Sequence, residues 1–146
     1  MSAPNVQVRG WVSLQQSNFQ QTARRCVGTV FASCSEGGGG SLINCLHAGL
    51  IPIATREASV DIDERYGLLF PEASVEAIQR AVRRLAALPA DQLRAMSRGA
   101  WEFAQANHTR QHFAEDYERV ARKLIAEREA RKSVGDAGAS VDQSED

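Results

Sequence analysis

Cysteine is scarce and badly spaced for any linked role. Cys26, Cys34 and Cys45 are an odd number with no CxxC pair, which argues against a disulfide framework and a zinc site and for a reducing compartment. Long apolar runs are missing as well: no uncharged stretch reaches the roughly eighteen residues that a membrane span needs. The opening Met1-Ser-Ala-Pro-Asn lacks a charged region followed by an apolar one, so no signal peptide or transmembrane segment is expected, and a cytoplasmic location follows. Excess charge of either sign is also absent. With 17 basic and 18 acidic residues the net charge is -1, which gives no general attraction for nucleic acid or an anionic membrane. Nor do His, Cys and carboxylate residues cluster at coordinating spacing, so no metal is expected. No internal repeat is visible.

What remains is ordinary globular material: 146 residues, 43% hydrophobic and 24% charged. A chain of this size buries roughly 68–70% of its unfolded surface and closes a single core. Val6, Val8 and Val12 alternate with polar residues and predict a strand broken at Gly10. Phe19 and Ala23, one turn apart, predict an amphipathic helix over 14–25. Thr29-Val-Phe-Ala and Leu50-Ile-Pro-Ile-Ala-Thr predict buried strands on either side of a helix over 41–48 that Gly49 stops, and Gly67-Leu-Leu-Phe predicts a further strand closed by Pro71. The period then becomes helical, with apolar positions at Val75, Ile78, Val82 and Leu85, next at Leu93, Met96, Ala100 and Phe103, and last at Phe113, Tyr117, Val120 and Leu124. Ser74 and Thr109 suit N-caps, Glu76 sits in a first turn, and Pro89 divides the first two of these helices. The stripe from Phe113 to Val120 is expected to be core.

Strands alternating with helices through short connections predict an α/β fold: a Rossmann-like parallel sheet of about four strands, helices on both faces, and three C-terminal helices. Residues 1–132 form this expected domain. From Ser133 the chain is Gly, Ala, Ser and acid with no base, and 133–146 is expected to be a disordered acidic tail. Doubly wound sheets usually have more strands, so the domain is expected to be cut off at its N-terminal side, a fragment of a larger fold.

In such sheets ligands sit beyond the carboxyl ends of the strands, where a loop feeds a helix N-terminus. Ser33-Cys-Ser-Glu-Gly-Gly-Gly-Gly-Ser occupies that place. Glycines let phosphate oxygens approach the backbone amides, and the helix dipole favours an anion there. The run lacks a following Gly-Lys-Ser/Thr, so it is not a P-loop, and Leu42 and Ile43 break the dinucleotide glycine pattern. Glu36 suits hydrogen bonding to sugar hydroxyls; it equally suits a favourable charge beside a helix N-terminus. Ser41 and Asn44 equally fit N-cap and N3 positions of the same helix. His47, one turn beyond Asn44, either faces the site or is a satisfied, half-buried histidine. Ordinary loop polarity accounts for Thr55 and Glu57. Arg80, Arg83 and Arg84 form a solvated helix face rather than a nucleic-acid site, since aromatic interleaving is missing.

Four segments, Val6-Gln-Val-Arg-Gly-Trp-Val, Val30-Phe-Ala-Ser-Cys-Ser-Glu-Gly-Gly-Gly-Gly, His47-Ala-Gly-Leu-Ile-Pro-Ile-Ala-Thr and Tyr66-Gly-Leu-Leu-Phe-Pro, together resemble the C-terminal donor-binding domain of retaining GT-B glycosyltransferases. The resemblance runs from about Val6 to about Leu124. It implies a nucleoside diphosphate sugar as donor substrate, Glu36 as the catalytic-site acid against the sugar, and Gly37, Gly38, Gly39, Gly40 and Ser41 as the sugar and phosphate cradle. It places Gly10 and Trp11 near the base, where Trp11 suits stacking or, equally, a place in the core. The family's second acid falls at Asn44; an amide still hydrogen-bonds a ribose diol, without charge assistance. The resemblance further implies that the acceptor is bound by a separate N-terminal domain missing from this chain, which alone is expected not to transfer sugar. The rival expectation is a non-catalytic remnant or interaction module with the same fold.

Overall fold

The computed structural model describes residues 5–139 of the chain, residues 132–139 by their backbone alone. Contacts divide the chain into two units between Ala106 and Asn107. The first is α/β and carries the candidate site. Its elements run α1 Ser17–Ala23, β1 Gly28–Phe31, α2 Gly40–His47, β2 Ile51–Ala54, a single 3-10 turn Arg56–Ala58, β3 Leu68–Leu69, α3 Val75–Ala86 and α4 Ala90–Asn107. The last helix, α5, spans Arg110–Ala139. Among the described residues no helix is long and apolar enough to cross a membrane.

The three strands form one parallel sheet in the order β1-β2-β3. β1 and β2 pair from Gly28↔Ile51 to Phe31↔Ala54, and β2 meets β3 at Ile53↔Leu68 and Ala54↔Leu69. Pro52 removes one ladder donor from the middle strand. The pairing is carried past the strand ends by Ile51 N–H to Val27 O at 3.1 Å and Phe70 N–H to Ala54 O at 3.1 Å.

β2 is buried along its whole length, and its side chains alternate between two cores, as strand geometry requires. Ile51 and Ile53 join Leu68, Phe70 and the Ala77, Ala81 and Leu85 stripe of α3. Ala54 joins Leu42 and Leu46 of α2, Tyr66, and Ala100 and Ala104 of α4. Helices thus cover both faces, and α4 contributes to both cores, with Met96 in the first and Ala100 in the second. Small residues on α4 let it approach closely: a Cβ at Gly99 would lie 3.0 Å from Tyr66 Cβ. The Tyr66 ring stacks on Phe103 with centroids 4.9 Å apart, and its hydroxyl donates to Asp61 O at 2.6 Å. The helix starts follow their caps: Ser74 Oγ accepts from Ala77 N–H at 3.2 Å, and Thr109 Oγ1 from His112 N–H at 3.1 Å.

Several expectations are corrected. The sheet has three strands rather than about four. Val6 to Val12 contains no strand, and among the described residues no other strand lies beside it to satisfy a ladder; Val8 is 90% exposed. Helix α1 is shorter than 14–25 and begins at Ser17. Phe113, Tyr117 and Val120 are exposed rather than core; Phe113 and Tyr117 stack on one another instead, 6.1 Å between centroids. Of the expected tail over 133–146, residues 140–146 lie outside the described residues, and within it α5 is described by its backbone alone to Ala139.

Candidate functional site at the carboxyl edge of the sheet

Two loops leave the carboxyl ends of β1 and β2 and are tied together. Thr55, 1% exposed, donates its hydroxyl to Ser33 O at 2.5 Å. Ser59, in the left-handed region at φ 55°, donates its hydroxyl to Glu36 O at 2.7 Å. Between them sits Gly39, the N-cap of α2, at φ 56°. A Cβ on Gly39 would stand 2.5 Å from Val60 Cγ2 and 2.6 Å from Ala58 O, so this position needs glycine for its backbone angle and for its space. Thr55 is therefore more than the ordinary loop polarity expected of it, and Ser59 is not singled out by the sequence. Their partners are carbonyls 22 and 23 residues away, and no local pattern encodes such pairs.

The glycine run therefore has two functions. Gly39 locks the loop, whereas a Cβ on Gly37, Gly38 or Gly40 would meet nothing within 4 Å, so their backbone faces open space. The first helical bond of α2 is Ile43 N–H to Gly39 O at 2.9 Å, which leaves the amides of Gly40, Ser41 and Leu42 ahead of the helical ladder. Ser41 is not the N-cap. Gly39 takes that position and places Ser41 inside the first turn, so Asn44 lies beyond N3.

Trp11, Ser41 and Asn44 come together. With Phe19 and Cys45 they line a cleft of about 520 Å³, within the range of small-molecule sites. Trp11 is 95% exposed, at the rim of the cleft rather than in a core. Gly10, at φ 64°, turns the chain just before it; neither Gly10 nor Glu36 lines this cleft. Glu36 stands exposed in the middle of the loop that enters α2. Burial pushes the Cys45 thiol up, against the weaker opposing effect of a hydrogen bond with Thr29, which disfavours the thiolate. His47 turns away from Asn44, with Nδ1 3.2 Å from Gln105 Nε2. Among the described residues no group of three or more His, Cys, Asp or Glu could hold a metal ion.

Protein-family models, curated proteins and solved structures were each compared with the chain, and none matches.

The Thr55 clamp has a measurable weight. Thr55→Val keeps the shape but removes the donor, leaving Ser33 O without it, and is expected to cost about 1–3 kcal/mol of unfolding free energy. Chemical denaturation of the variant checks this, with a simultaneous rise in backbone amide exchange over 33–39 as the local signature.

Proposed function

We propose that this chain is the donor-binding half of a glycosyltransferase that takes a sugar from a nucleoside diphosphate sugar. One observation carries the proposal: an exposed indole, a hydroxyl and an amide (Trp11, Ser41 and Asn44) share a cleft beside the free amides of a glycine-led helix. The base stacks on Trp11, the ribose hydroxyls meet Asn44, and the diphosphate meets Ser41 and the amides from Gly40 onward, where the helix dipole favours an anion. Glu36, on the same loop, accepts hydrogen bonds from sugar hydroxyls. Glycosyl transfer builds positive charge at the anomeric carbon, and a carboxylate on one side with bound phosphate on the other is mostly a matter of positioning and electrostatics. The acceptor belongs to a separate domain, so the isolated chain binds donor and does not turn it over.

The test is thermal unfolding with UDP, GDP, ADP and their sugar conjugates, using the chain and Trp11→Ala. Ligand at a hundred times its dissociation constant adds about 2.7 kcal/mol, a rise on the order of 5–10 °C here. The proposal expects one base to give that rise and Trp11→Ala to reduce it. A cooperative transition that no nucleotide moves contradicts the proposal and leaves a non-catalytic remnant of the same fold.

A further inference from the structure

A second cleft, larger than the first at about 660 Å³, lies at the opposite edge of the sheet. It is lined by Val27 and Leu50, which immediately precede β1 and β2, so it opens at the amino ends of the strands. The loops tied by Thr55 lie at the carboxyl ends. Its polar lining is one-sided. Arg24 comes from the C-cap of α1, and Arg94 and Arg98 stand one turn apart on α4, with Ser97 between them and Trp101 one turn beyond; no Asp or Glu lines it. His47 reaches the same cleft from the end of α2.

Some arginines of this chain find acids, such as Arg65 with Asp63 at 2.8 Å and Arg122 with Glu118 at 2.5 Å, while several exposed ones, Arg80 and Arg83 among them, stand in solvent. Arg24, Arg94 and Arg98 pair with no carboxylate among the described residues. Three guanidinium-bearing residues lining one cleft give it a positive potential that favours an anion. Guanidinium groups are suited to phosphate, which they bind through parallel N–H donors. Beside them Trp101 keeps 46% of its surface exposed, in a position to stack on a planar group, and Leu93 and Leu50 give the cleft an apolar floor.

We infer that this cleft binds a phosphorylated small molecule carrying a planar ring, with the phosphates on Arg24, Arg94 and Arg98 and the ring on Trp101. Ser97 is already committed, since its hydroxyl donates to Gly49 O at 2.7 Å. It fixes α4, which carries Arg94 and Arg98, against the turn after α2. The ligand site is separate from the proposed donor site, and neither depends on the other.

The chain has two tryptophans, so Trp11→Phe leaves Trp101 as the sole indole reporter. In that background, Trp101 emission is titrated with inorganic pyrophosphate and with ATP at constant ionic strength, then again with Arg94→Gln and Arg98→Gln added. The inference expects saturable changes with both ligands, ATP binding at least tenfold tighter than pyrophosphate, and at least a tenfold loss for each when the two arginines are replaced. Both replacements fall on exposed positions, and circular dichroism confirms that the helix persists. No saturable change, or affinities that survive the loss of Arg94 and Arg98, overturns the site. Equal affinity for ATP and pyrophosphate overturns the role of Trp101.

Discussion

Replacing Gly39 with valine is expected to destabilise the Met1–Ala106 unit by about 2–5 kcal/mol, through two costs that add. The residue sits at φ 56°, where a β-branched side chain is strained. Its Cβ would also stand 2.5 Å from Val60 Cγ2 and 2.6 Å from the Ala58 carbonyl. The methyl can be pushed aside, but the carbonyl belongs to the 3-10 turn that follows β2 and moves only with its backbone. Gly38→Ala, two residues before α2 and facing open space, is the matched control and should change stability by less than about 0.5 kcal/mol. Urea unfolding followed by tryptophan fluorescence measures both, since Trp11 and Trp101 lie in this unit. Equal effects at the two positions would show that the loop is not held through Gly39.

Leu46→Ala is expected to cost about 2–5 kcal/mol, as buried leucine truncations do when the cavity cannot close. Leu46 is fully buried and belongs to the core that joins α2 to Ala54, Tyr66 and the alanines of α4. Ala100 and Ala104 have no side chain to extend into the void, so collapse there is limited. The same leucine holds α2 against the sheet, and with it the amides that face the candidate donor site. On the proposed function, loss of nucleotide binding should accompany the loss of stability. Val75→Ala, at a position 63% exposed, should stay within about 0.5 kcal/mol.

The parts legible from the sequence were those with a local cause. β2 is a short apolar run between Gly49 and the turn that follows it, and the structure has it as the buried middle strand. Ser74 and Thr109 cap their helices because a hydroxyl ahead of a helical period can reach the third amide. Trp11, Ser41 and Asn44, named together through the resemblance, line one cleft, whereas Gly10, Glu36 and Gly37 to Gly40 do not.

The parts that were not legible depend on partners distant in the chain. Alternation from Val6 to Val12 describes a segment that could pair, but a strand exists only beside another, and none adjoins it among the described residues. Ser41 has the better cap chemistry, yet the close approach of Val60 and Ala58 makes Gly39 the cap instead. Helical spacing puts His47 on the face of Asn44, but it does not reveal that Gln105 of α4, 58 residues away, supplies a partner for its ring. The apolar stripe of α5 has helical period, but periodicity does not supply a surface to cover it.

The most direct measurement of the donor-site account is calorimetric titration of the intact chain with UDP, GDP and ADP and with a matching sugar conjugate of each, repeated on Glu36→Ala. The account predicts saturable binding for one base, a gain in affinity when the sugar is present, and loss of that gain alone in Glu36→Ala, with affinity for the bare nucleotide unchanged. Absence of binding by every nucleotide and conjugate, or a sugar preference untouched by Glu36→Ala, would contradict it.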